Sequence, residues 1–269
     1  LYTAVRVAGS TRARATVRLR SRGRTSRLEL AILRSQRAAG PDQQPRLADL
    51  SVWSAYLRPL GAASTIDVTV GARTTSAALL PSAGDTPVTA EQDRRLSTFT
   101  AQARHTRQAG RLGLRAGADA QVFPVRERFT MALTSPHLNL PGAPGYNPAL
   151  TAHDLTRGGT PFRFDDARRG THVSAFAQST LQAGDVTVNA GVRHDEYHFL
   201  VEGRQLQPRV GVSYRVAGRD LVLRASYNRN YQTPPNENLL LSNSDAAGAL
   251  APESVRAALG QATRAIRPE

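Results

Sequence analysis

His194-Asp195-Glu196-Tyr197-His198 is the densest run of ligand-type side chains in the sequence. On a strand, His194, Glu196 and His198 share one face, and two imidazoles with a carboxylate are donors that a transition ion accepts. Three ligands on one strand make a weak motif. The plainer reading is a strand leaving a membrane, where polar and aromatic residues take over from aliphatic ones. Ser, His and Asp are plentiful, but no Gly-x-Ser-x-Gly elbow and no glutamate-bearing metal helix orders them, so hydrolase chemistry is not indicated. Gly113, Gly117, Gly191 and Gly211 lack the strand-to-helix context of a phosphate loop and fit close side-chain packing better. No cofactor motif is present.

Those residues must be positioned by strands. Between Gly184 and Glu237 three segments alternate apolar and polar residues. Val186, Val188, Ala190 and Val192 oppose Thr187, Asn189, Gly191, Arg193 and Asp195. Val210, Val212, Tyr214 and Val216 oppose Arg209, Gly211, Ser213 and Arg215. Leu221, Leu223, Ala225 and Tyr227 oppose Val222, Arg224, Ser226 and Asn228. Period two is a strand signature, and a helix would mix the two sets. Guanidinium groups cannot sit in a dry sandwich core, so this pattern predicts a membrane β-barrel with lipid outside and a watery lumen inside.

The alternation extends upstream. Strands are expected at Leu1–Ala8, Arg12–Ser21, Thr25–Ser35, Leu47–Leu57, Thr65–Thr75, Arg95–Arg107, Arg111–Val122 and Thr171–Leu181. With the three above they make about eleven, each near the ~9–11 residues of a tilted membrane strand. From the second strand the connections mostly alternate between tight turns and long loops, as barrels with short periplasmic turns and long extracellular loops do. Periodicity fails from Pro124 to Asp166, read as one very long extracellular loop. After Pro234-Pro235 the chain reads as loop, with one helical turn at Glu253–Leu259.

Composition sets further bounds. The 269 residues carry no cysteine, 16 Pro, 21 Gly and a formal charge of +14, with arginine as the only long basic residue. That charge admits an alternative, a soluble arginine-rich β-protein that binds nucleic acid, but the arginines alternate within apolar strands and no nucleic-acid-binding motif appears. No apolar run reaches the ~20 residues of a transmembrane helix. The first residues do not read as a signal peptide and the last do not read as a closing strand, so an internal fragment is expected.

Ser174-Ala175-Phe176-Ala177-Gln178, Asn189-Ala190-Gly191-Val192-Arg193, Gln207-Pro208-Arg209-Val210-Gly211, Arg224-Ala225-Ser226-Tyr227 and Tyr231-Gln232-Thr233-Pro234-Pro235-Asn236-Glu237-Asn238 together resemble the central barrel strands of TonB-dependent outer-membrane receptors. The resemblance runs from about Thr171 to Leu241. It implies an all-β, antiparallel transmembrane barrel, about half of a large one. Residues 1–241 would be a partial barrel and residues 242–269 an extracellular loop, with the plug domain outside this chain. It further implies a non-enzymatic receptor in the Gram-negative outer membrane for a scarce nutrient such as siderophore-iron, cobalamin or a glycan. The implied partners are the TonB complex, that small ligand and outer-membrane lipid, with no nucleic acid. A passive porin shares the architecture.

Within such a lumen Arg193, Asp195, Arg209 and Arg224 are the candidate ligand-binding residues, because guanidiniums there would attract an anionic cargo. The competing expectation is that Arg18, Arg73, Arg115, Arg193, Arg209 and Arg224 pair with Glu29, Asp67, Asp119 and Asp195 and with plug carboxylates. Tyr197, Phe199, Tyr227 and Tyr231 are expected in the interface girdle.

Overall fold

The computed structural model describes residues 2–7, 10–21, 24–38, 46–82, 84–232 and 239–251, with side chains described from Leu47 onward except those of Leu239 and Ser242. The expected helical turn at Glu253–Leu259 and the side chains of Arg18 and Glu29 lie outside the described residues.

Among the described residues eleven strands form one sheet in chain order. They are β1 (Tyr2–Val7), β2 (Ser10–Ser21), β3 (Arg24–Ala38), β4 (Arg46–Pro59), β5 (Ser64–Leu79), β6 (Val88–Ala109), β7 (Leu112–Leu133), β8 (Phe162–Ala183), β9 (Val186–His198), β10 (Glu202–Arg215) and β11 (Val222–Asn228). Every pair is antiparallel. Two-residue turns join β6 to β7 and β8 to β9, with Gly110 (φ 59°) and Gly184 (φ 60°) at the first central position. That is the left-handed conformation a tight hairpin turn needs and glycine adopts without steric cost.

Register decides which residues meet. Asp119 lies opposite Ser174 and Ser174 opposite Asp195, while Arg193 lies opposite Gln207 and Gly211 opposite Ser226. The polar sets of neighbouring strands therefore coincide on one face, and a one-residue slip would send Arg193 to the other. That other face is apolar and bare: Phe99, Leu114, Val173, Leu181, Val192, Val210 and Leu223 are each 41% to 54% exposed. A continuous apolar band this large needs an apolar solvent. No helix among the described residues is long and apolar enough to cross a membrane.

The structure corrects two expectations about the strands. β6, β7 and β8 are each 22 residues long, about twice the expected length. At about 3.3 Å per residue and a tilt near 45° they rise roughly 50 Å, well beyond a hydrocarbon core of ~30 Å. The loop read as Pro124–Asp166 accordingly shrinks to residues 134–161, with two short 3-10 helices at Pro148–His153 and Leu155–Arg157.

The cause is an inversion of the pattern. Below Val122, inward residues of β7 are polar and outward ones apolar. Above it, Phe123, Val125, Phe129 and Met131 face inward while Arg126 and Arg128 face outward, and pairing with β8 continues through Pro124 opposite Arg169. The inward switch has a packing reason. Of two short helices after β11, α1 (Leu239–Ser242) lies against this upper wall and α2 (Asp245–Leu250) against the first 3-10 helix, and Leu240 joins Phe123, Val125 and Tyr197 in a buried cluster.

Candidate functional site

The polar centre of the inner face is Asp195 on β9, whose side chain is 3% exposed. Its Oδ2 accepts from Arg193 Nε at 2.8 Å and from the Gln207 amide, and its Oδ1 accepts from Arg193 Nη2 at 3.0 Å. His172 Nε2 stands 2.9 Å from Oδ1, and because a carboxylate only accepts, that nitrogen carries the proton. Arg193 also reaches two strands away, donating to Asp119 Oδ2 at 3.1 Å and to Ser174 Oγ at 2.7 Å. One guanidinium thus ties β7, β8 and β9 together, and Gln207 brings in β10. Gln207 Oε1 in turn accepts from Tyr231 N at 3.1 Å, holding the chain beyond β11 against the wall. Burial and the neighbouring Asp195 carboxylate both raise the Tyr231 phenol above its usual range, so it stays neutral.

His172, Ser174 and Asp195 share this network without forming a nucleophilic triad. The Ser174 hydroxyl donates to Asp119 Oδ2 at 3.2 Å, and the imidazole is turned to Asp195. A triad needs a serine–imidazole contact, which this arrangement does not supply. Around this network two polar atoms, Asp119 Oδ1 and Tyr231 Oη, are enclosed without a hydrogen-bond partner among the described residues.

Below the network lies a trough of 540 Å³ whose charged lining includes Arg104, Arg115, Asp119, Arg193 and Arg209. Of the four candidate ligand-binding residues, Arg193 and Asp195 are bonded to each other, Arg209 lines the trough, and Arg224 shares the face but stands on the edge strand β11, outside that lining. Arg115 lies 6.0 Å over the Phe176 ring, a cation–π placement. Of the expected pairings, Arg193 with Asp119 and Asp195 is present. Arg73 is paired as expected, with a carboxylate outside the expected set: its Nε donates to Asp49 Oδ2 at 2.8 Å across the β4–β5 pair.

Above the network the wall is apolar, and a second cavity of 420 Å³ opens among Gln92, Glu127, Phe129, Met131, Phe162 and Leu241. Glu127, 1% exposed, accepts from Gln92 Nε2 at 2.8 Å and from Leu241 N at 3.1 Å, pinning α1 to β7. Asn147, itself bonded to Asn139, donates to Ala249 O at 2.9 Å and ties α2 to the long loop. Glu127→Ala leaves the Leu241 N–H unbonded. It is expected to cost about 1–3 kcal/mol and to speed proteolytic cutting within residues 239–251, with Glu127→Gln intermediate. Unchanged cutting in the alanine variant would show that the pin is not needed.

Three expectations about aromatic and ligand-type residues resolve differently. Tyr197 is 1% exposed and stacks with Phe123 at 5.8 Å, and Phe199 meets the same ring edge-on at 5.4 Å. Tyr231 packs partly buried against that cluster. Tyr197 faces inward because odd positions of β9 do, and Phe199 and Tyr231, beyond β9 and β11, pack against the same inner cluster; Tyr227, 62% exposed, remains on the outer face. His194, Glu196 and His198 do share the outer face, where His198 Nε2 is 3.0 Å from Glu196 Oε1. Among the described residues no three His, Cys, Asp or Glu side chains converge as an ion-holding group. His172, Ser174, Gln207 and Glu127 were not singled out as site residues from the sequence. The available signal was parity: each falls on the inward set once the register is known.

The model for the family described as TonB dependent receptor-like, beta-barrel, matches residues 10–258. The chain belongs to this TonB-dependent receptor β-barrel family. No curated protein matches the sequence. Among solved structures, the copper transporter OprC is similar over 84% of this chain at 13% identity, with a TM-score of 0.60. BauA, the ferric preacinetobactin receptor from Acinetobacter baumannii, is similar over 87% at 12% identity and 0.53. The siderophore receptor PiuA from the same organism is similar over 86% at 12% identity and 0.53. At such identities the likeness shows the fold. The chain spans 37%, 43% and 44% of those three proteins.

Proposed function

We propose that this chain forms the wall and mouth of an outer-membrane receptor that binds a scarce small nutrient on its long-loop side and imports it with energy delivered through the TonB complex. The observation that carries the reading is the division of one continuous sheet into an apolar outer band and a polar, arginine-lined inner face, in a chain of this family. Arg193 and Asp195 are wall-holding residues in this scheme, since each is saturated by its neighbours. Arg104, Arg115 and Arg209 offer the trough its positive lining, which suits carboxylates of a plug or an anionic nutrient complex. The solved structures similar to this chain include a copper transporter and a ferric preacinetobactin receptor. Among siderophore-iron, cobalamin and glycans, the trough arginines favour an anionic complex for this chain.

The test is uptake by the full receptor in cells with and without TonB. The protein is expected in the outer-membrane fraction, with accumulation lost when TonB is absent. Arg209→Ala is expected to lower uptake several-fold while leaving barrel stability within about 0.5 kcal/mol, as for an exposed substitution. Uptake that persists without TonB would favour a passive pore and overturn the proposal.

A further inference from the structure

The upper cavity and the arginine trough lie on one inner wall but differ in charge. The trough lining carries Arg104, Arg115 and Arg209. Among the described residues the lining of the 420 Å³ cavity carries one carboxylate, Glu127, and no guanidinium or imidazole. Phe129, Met131 and Phe162 form its strand side, because Gln92 opposite Phe129 and Phe162 opposite Met131 share the inward set, and Leu241 and Leu250 stand on its helix side. A cavity of this volume falls within the roughly 300–1,000 Å³ of small-molecule sites.

Two observations say what it takes. The buried Glu127 carboxylate has neutral donors only, the Gln92 amide and the Leu241 N–H, and each of its oxygens keeps a second lone pair. Arg94 stands opposite Glu127 in the β6–β7 register yet forms no ion pair with it, while Asp166, opposite on β8, is held by Arg168 at 3.1 Å. A carboxylate without a cation in an apolar enclosure is poorly screened, so it favours a positive ligand group and rejects a negative one. The second observation is Gly248. Glycine is a poor helix former, and a Cβ built there would meet nothing within 4 Å, so crowding does not call for it in α2. Its bare backbone is part of the cavity wall.

We propose that this cavity is a binding site for a small apolar amine, whose ammonium turns to Glu127 and whose aryl or alkyl body packs among Phe129, Met131, Phe162 and Leu250. The site goes beyond the receptor reading above: it is separate from the trough and selects the opposite charge. Because its walls come both from the sheet and from residues 239–251, a bound amine also holds that segment to the wall.

The test uses the full receptor in lipid nanodiscs, with its methionine methyl groups isotope-labelled for NMR. Met131 is the only methionine of this chain, and Met131→Leu identifies its signal. Three probes of like shape, 2-phenylethylamine, 2-phenylethanol and 3-phenylpropanoate, are titrated at neutral pH and matched free concentrations. The amine is expected to shift the Met131 methyl with an affinity about tenfold above the alcohol's, and the carboxylate to leave it in place. Glu127→Gln keeps the size of the side chain and removes its charge, and it is expected to abolish the amine's preference over the alcohol. The amine should also slow proteolytic cutting within residues 239–251. Equal affinities for amine and alcohol, a preference that survives Glu127→Gln, or a Met131 methyl that none of the probes moves would each overturn the proposal. Because binding is read on purified receptor, it fails or succeeds independently of TonB-dependent uptake.

Discussion

Replacing Asp195 by alanine is expected to destabilise the barrel wall by about 3 kcal/mol, the low end of the range for removing one partner of a buried ion pair because the Arg193 side chain is 25% exposed. The loss is large because four donor groups converge on one carboxylate. Without it, Arg193 keeps Asp119 and Ser174, but the His172 and Gln207 donors lose their shared acceptor. Gln207 also holds Tyr231, so the segment beyond β11 should loosen along with the wall. The measurement is urea unfolding of the full receptor in detergent, followed by the heat-dependent gel shift that reports an intact barrel. Asp195→Asn should cost less, since one acceptor oxygen survives. The double variant Arg193→Ala/Asp195→Ala should cost less than the sum of its parts. A midpoint for Asp195→Ala within about 0.5 kcal/mol of the unaltered chain would show that lumen water replaces the network at no cost.

The second large effect is expected at Gly170. Phe123 lies opposite it in the β7–β8 register, and the ring covers the bare backbone so closely that an added Cβ would stand 2.1 Å from Phe123 Cε2. Backbone cannot yield there and the ring must move. Phe123 is fully buried among Val125, Tyr197 and Leu240, so its displacement disturbs the whole cluster that seats α1. Gly170→Ala is expected to cost about 2–3 kcal/mol by overpacking. Phe123→Ala alone should cost about 3–5 kcal/mol through lost burial. Combined, the two should be strongly less than additive, because the alanine methyl then occupies space the ring has left. Strict additivity would mean that the ring and the glycine do not share this contact in solution.

Gly117 with Phe176 repeats the arrangement three inward positions lower on β7: the ring lies 2.8 Å, and the Ala103 carbonyl oxygen 2.7 Å, from where a Cβ would be, with Phe176 opposite in register. Both aromatic–glycine pairs are inward. They give the glycines of the inner face a packing role, as the absence of a phosphate-loop context suggested.

What the sequence determined by itself is the strand class and the two faces of the lower wall. Val186 to Asp195, Arg209 to Val216 and Leu221 to Asn228 alternate with a period that only a strand can sort, and the structure places each of those sets on the face expected. Family membership was legible from the same stretch, and the match over residues 10–258 agrees. The upper wall was not legible. From Phe123 to Met131 the inward residues other than Glu127 turn apolar and Arg126 and Arg128 face outward, because Leu240 of α1, more than a hundred residues later in the chain, packs into the cluster where Phe123 and Val125 are buried. A local pattern cannot announce a partner so distant, and it read as a loop. The site depended on tertiary structure for a related reason. Parity along one strand says which side Arg193 faces, but its bonds to Asp119 and Ser174 exist only because two further strands pair in one register, and that register is set by long-range packing.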